Sequence, residues 1–131
     1  MYDKNKKKHK FEDVKAWKSA REFRKHIYRI TKEFPKEEMY CLTSQIRRAA
    51  ISIHSNIAEG YGRYSYQENI QFCRTARGSL NEVLDQLYVA HDEKYISQNE
   101  FNFLYDAGRN TEYDINCYIG FIKKQQNISK T

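Results

Sequence analysis

Apolar residues recur along this chain at spacings of three and four, broken by short polar or conformation-restricting stretches. This is the pattern of consecutive amphipathic helices. Val14, Trp17, Ala20 with Arg21, Ile27, Ile30 and Phe34 predict a first helix from about Asp13, ending where Pro35 disfavours a helical residue before it. Leu42, Ile46, Ala49, Ala50, Ile53, Ile57 and Gly60 fall in one stripe at 100° per residue and predict a second helix, starting at about Glu37 or Thr43 and stopped by Gly60 and Gly62. Ser65 followed by Glu68 has capping-box spacing. It opens a third helix carrying Ile70, Cys73, Ala76 or Arg77, Leu80, Leu84, Leu87 and Tyr88 towards His91. Ser97 and Glu100 repeat the signal before a fourth helix with Phe101, Leu104, Tyr105, Gly108, Thr111, Ile115, Tyr118, Ile119 and Ile122. Short connections favour antiparallel neighbours, so the expected fold is all-α, an antiparallel up-down-up-down four-helix bundle over residues 11–124. Residues 125–131 form a polar C-terminal tail.

Composition supports this reading. With 131 residues the chain suits one domain, and five Gly and one Pro are too few for the many tight turns of a sandwich or barrel. Eleven Tyr and seven Phe supply a core despite a mean hydropathy of −0.93. No stretch approaches the roughly 20 apolar residues of a membrane span, and no apolar segment follows the basic N-terminus, so a cytoplasmic protein without a membrane partner is expected. Cys41, Cys73 and Cys117 lack metal-ligand spacing and read as buried or idle thiols; neither a metal site nor a cofactor motif is recognisable.

Charge adds a candidate function. Residues 1–36 hold 13 Lys/Arg against five Asp/Glu, whereas residues 78–114 hold two against eight. Residues 1–10, with Lys4, Lys6, Lys7, Lys8 and Lys10, have no apolar periodicity and read as a flexible basic arm. Together with Lys18, Arg21 and Lys25 of the first helix, and Arg47 and Arg48 of the second, they form a candidate phosphate-binding surface for RNA or DNA. The same asymmetry also suits head-to-tail packing of subunits, and Ile51 and Ala58, off the core stripe, suggest an oligomer contact.

Gln45, Ser52, Ser55, Asn56 and Glu59 make a polar strip beside the second helix's core stripe and read as a hydrogen-bond network facing a neighbouring helix. Gly78, inside the third helix, costs about 1 kcal/mol relative to Ala, which suggests close helix approach. A backbone surface opened for a ligand is the alternative. Arg48 followed by His54 resembles the pattern of the helical HEPN ribonucleases, in which His would move protons and Arg would stabilise phosphate charge.

Two stretches carry a broader resemblance. Gln45 to Gly60, reading QIRRAAISIHSNIAEG, and Ala76 to Glu82, reading ARGSLNE, resemble the four-helix-bundle proteins encoded in intervening sequences of bacterial 23S rRNA genes. With Phe11 to Trp17 and the Phe34, Pro35 pair, the similarity covers nearly all of residues 11–122. It implies a non-enzymatic protein forming homopentamers, related to the accessory variability protein of diversity-generating retroelements, which binds nucleic acid and a reverse transcriptase. Arg47, Arg48, Ser52, Asn56, Glu59, Gly60, Gly78, Ser79 and Glu82 match the shared motif and read as architectural, the arginines touching phosphate. The family usually has Pro where this chain has His54, so the shared pattern gives that histidine no role. The sequence therefore points to an oligomeric nucleic-acid-binding bundle. A scaffold recruiting a protein such as a polymerase, or a HEPN-like ribonuclease, are the alternatives.

Overall fold

The structure, a computed structural model, describes residues 9–130. Four helices account for nearly all of them: α1 (Lys15–Thr31), α2 (Leu42–Tyr61), α3 (Tyr66–Asp92) and α4 (Gln98–Lys130). Each packs against its neighbours in sequence, and α1 closes against α4; among the described residues no Cα atoms of the diagonal pairs approach within 8 Å. Cross-helix pairs run in opposite senses along every seam. Ser19 meets Thr111 and His26 meets Phe103 between α1 and α4, while Arg77 meets Asn116 and Asn69 meets Tyr118 between α3 and α4. The bundle is up-down-up-down, as the sequence predicts. The basic arm expected over residues 1–10 lies, apart from His9 and Lys10, outside the described residues.

The helix boundaries show where periodicity overreaches. A separate 3₁₀ turn occupies Phe11–Asp13, and Val14 has extended backbone, so α1 starts at Lys15 rather than Asp13. It ends at Thr31, whose hydroxyl donates back to the carbonyls of Ile27 and Tyr28 at 2.8 and 3.1 Å. The chain then tightens through Phe34, buried but no longer α-helical, before Pro35. Glu37 belongs to a second 3₁₀ turn, Lys36–Glu38, so of the two expected starts for α2 the later is nearer. The Glu38 carboxylate accepts the Leu42 N–H at 3.3 Å and the Tyr95 hydroxyl at 2.8 Å, tying this turn to α2 and to the α3–α4 connection. The Ser65 cap forms as expected, its hydroxyl accepting the Glu68 N–H at 3.1 Å, and Ser97 and Glu100 close a reciprocal pair before α4. The polar tail is helical as far as Lys130.

The core stripes hold. Phe23, Ile27, Ile46, Ile53, Ile57, Ile70, Leu80, Leu87, Leu104 and Ile115 are fully buried. Val83 and Ala90 join them on α3, and of the Ala76/Arg77 pair it is Ala76 that is buried. Tyr88 departs from the expected stripe. It is half exposed and packs at the surface on Phe101, ring centroids 4.9 Å apart.

Candidate nucleic-acid interface

Where α1 ends, Pro35 and the following 3₁₀ turn carry the chain across to α2, leaving a groove of about 630 Å³ between the last turn of α1, this connection and the first half of α2. Its floor is built from cation and ring. The Arg47 guanidinium lies 4.7 Å from the centroid of Tyr28, and its Nε donates to Thr31 Oγ1 at 2.7 Å. Thr31 can hold Arg47 because its own proton goes to the α1 backbone, leaving the oxygen to accept. Lys32, Lys36 and Arg48 stand around the rim, and no carboxylate lines the groove. Among the described residues these three cations and Arg47 make no ion pair; Arg48 has one long contact, 3.5 Å to Ser44 Oγ. Exposed apolar side chains complete the rim: Met39, Ile51 and Tyr40, the last 90% exposed.

The structure thus divides the basic residues expected to act together. Arg47 and Arg48 share the groove, but Lys18, Arg21 and Lys25 lie on the exposed side of α1 outside it. Lys18, Lys25 and Lys32 succeed one another at intervals of seven, so they form a line along α1 leading to the groove. One acidic group interrupts that line, Glu22, which pairs with Lys25 at 3.2 Å; Lys15, off the line, pairs with Asp114 at 3.8 Å. Arg21 stacks on Trp17 at 5.7 Å. Lys10 is exposed, with its backbone N–H donating to the Asp13 carboxylate. Lys4, Lys6, Lys7 and Lys8 lie outside the described residues. Sequence reasoning missed Lys32, Lys36, Tyr28 and Tyr40. The seven-residue interval could have found Lys32, whereas the others depend on how the chain turns after Pro35.

The motif residues on the opposite flank of α2 make their contacts within the bundle. Ser52 and Ser79 join α2 to α3 through their hydroxyls at 2.9 Å, and Asn56 Nδ2 donates to both the carbonyl and the hydroxyl of Ser52 at 2.8 Å. Gly60 is required by close approach: a Cβ there would lie 2.7 Å from Asn69 Oδ1 and 2.8 Å from Phe72 Cβ. Glu59 pairs loosely with Arg63 at 3.7 Å, and Glu82 accepts from Gln86 at 3.4 Å. Gly78 corrects the expectation of close helix approach. It is exposed, and a Cβ there would meet nothing within 4 Å. It lies about 200° around the helix from Leu80, on the solvent side of α3.

His54 does not face Arg48 in a catalytic pair. Its Nε2 accepts from Arg24 Nε at 3.4 Å and its ring packs edge-on against Trp17, the centroids 6.1 Å apart. Burial first, then the charges of Arg24 and Arg21, hold its pKa below the ordinary histidine value. The buried Cys73 thiol is pushed up to about 12 by desolvation, which leaves it unreactive. Of the three thiols expected to be buried or idle, Cys73 is buried and Cys41 and Cys117 are exposed and free. Among the described residues no three His, Cys, Asp or Glu side chains gather as a metal site, and no helix is long and apolar enough to cross a membrane.

A family model described as 23S rRNA-intervening sequence protein matches residues 12–116. The chain is also similar to the crystal structure of a protein of unknown function from the S23 ribosomal protein family of Bacteroides thetaiotaomicron VPI-5482. The two are 20% identical, with a TM-score of 0.73, over 79% of this chain and 97% of that one. At that identity the likeness speaks for the fold. No curated protein matches the sequence. The family match spans both motif stretches and most of the bundle, and the chain belongs to the 23S rRNA-intervening sequence protein family.

Proposed function

We propose that this member of the 23S rRNA-intervening sequence protein family is a non-enzymatic, self-associating protein that binds RNA or DNA through backbone phosphates. The observation that carries the reading is the groove whose lining holds Lys32, Lys36, Arg47 and Arg48 and no carboxylate. Four cations with no carboxylate among them raise a local positive potential that attracts an anion. The line of Lys18, Lys25 and Lys32 and the basic N-terminal residues would extend the contact along α1. Binding of this kind releases counterions, so affinity for duplex DNA or structured RNA should fall steeply between roughly 50 and 200 mM salt. Anisotropy titrations across that range test it. Binding that ignores salt, or no binding at all, would overturn it. A ribonuclease reading draws no support from His54, which is turned to Arg24 and Trp17 rather than to Arg48.

A second reading, a scaffold for a protein partner, is favoured by the other end of the bundle. There Tyr64, Tyr66 and Phe121 are exposed beside Tyr61 and Tyr118, around a shallow pocket. Exposed aromatics of this density suit a protein contact, including one with further copies of the chain, and a pentamer is the assembly the family resemblance implies. Light scattering of the purified protein distinguishes a pentamer from a monomer directly.

A further inference from the structure

We infer that the groove beside Pro35 is a reading site for an unpaired nucleobase, so that the protein prefers single-stranded nucleic acid to duplex. The inference rests on the nucleic-acid reading above and narrows its ligand. Phosphate attraction explains the cations but not the company they keep. Tyr40, on the rim, has 90% of its surface in water, and the neighbouring Met39 is also exposed. A duplex offers phosphates on its outside and keeps its bases stacked within, so it gives the face of a bare ring nothing to stack on. A single strand does, because an unstacked base finds on an aromatic side chain the partner it lost.

The arrangement around Tyr40 fits such a ligand. The groove holds about 630 Å³, within the usual range of roughly 300–1,000 Å³ for small-molecule sites. Beneath the opening, Arg47 is already stacked on Tyr28 and held by Thr31, so its guanidinium is positioned before the ligand arrives. Arg48, Lys32 and Lys36 surround the opening, where the phosphates on either side of an inserted base would lie. No carboxylate is among the lining residues. Base and phosphate are common to RNA and DNA, and the groove's chemistry serves either sugar.

The test uses the full chain and four labelled probes: an unstructured mixed-sequence RNA of about 12 nucleotides, the DNA strand of the same sequence, the duplex of that DNA, and a polyglutamate peptide. Wild type is expected to bind one or both single strands more tightly than the duplex. Tyr40→Ala should weaken single-strand binding about tenfold while leaving duplex binding unchanged, and Tyr40→Phe should restore it. Because Tyr40 is almost wholly exposed, the fold does not depend on it, and circular dichroism checks this. The relative affinities of the RNA and DNA strands identify which source is preferred. Duplex binding with no single-strand preference, or equal losses on all nucleic-acid probes in Tyr40→Ala, would overturn the base-reading site and leave the phosphate reading standing. Failure to bind any nucleic acid would remove both. Binding of polyglutamate alone, lost in Tyr40→Ala, would make the groove an acidic-protein site instead.

Discussion

Helix α2 has two flanks of opposite character. Towards α3, Ser52, Asn56 and Gly60 are locked: hydroxyl to hydroxyl with Ser79, amide to backbone, and backbone so close to Asn69 that a methyl group does not fit. Towards the end of α1, Arg47 is anchored but Ser44, Arg48 and Ile51 border open space. Both flanks hold residues of the shared motif. A residue's place in a motif therefore does not say whether it builds the fold or meets a ligand; its partners do.

Substitutions can break the contrast. The largest effect expected is for Gly60→Ala, which forces a Cβ to within 2.7 Å of Asn69 Oδ1 and 2.8 Å of Phe72 Cβ. Separating α2 from α3 should cost about 1–3 kcal/mol, measured as a lower denaturant midpoint. Gly78→Ala places the same methyl group in open space on α3 and should stabilise the protein by about 0.5–1 kcal/mol. If both glycines behave alike, the distinction between seam and surface fails.

The third face of α2, turned to α1, can be probed by pH. His54 has its pKa lowered in the folded protein by burial and by Arg24 and Arg21, so the unfolded chain binds the proton more readily. Its contribution to stability is complete above the ordinary histidine value of 6.5 and is lost as the pH falls through its lower folded value. His54→Gln should make the acid side of the stability profile shallower. His26 is lowered in the same direction, by burial and then Arg29, and keeps part of the slope. The smallest structural effect is expected for Arg48→Ala: thermal stability should stay within about 0.5 kcal/mol of wild type, while the salt dependence of nucleic-acid binding loses about one unit of slope. A large loss of stability in this variant would move Arg48 from the open flank to the packed one.

The bundle was readable in the sequence because its stripes run uninterrupted for several turns and Pro35, Gly60 with Gly62, and two Ser–Glu caps separate one stripe from the next. Gly78 was misread by attending to its identity before its angle: its place opposite Leu80 already excluded it from the core. Tyr88 was misassigned because a large ring at a stripe edge can lie along the surface, as it does on Phe101. Half of the candidate site was visible, since charge alone singles out Arg47 and Arg48. The other half was hidden because Tyr28, Lys36 and Tyr40 meet those arginines only through the path taken after Thr31, and no periodicity encodes that path. Trp17 and Arg24 around His54 were equally out of reach, being brought there by the crossing of two helices.

The direction of α1 sets a length. Lys10 precedes the start of this helix and the groove lies towards its end, and the 17 residues of α1 span about 25 Å at the usual rise. A strand in duplex geometry advances about 3.4 Å per nucleotide. A duplex touching both ends of α1 must therefore present about seven steps of one strand along that length, whereas an unstacked single strand reaches further per nucleotide and can bridge the two ends with fewer.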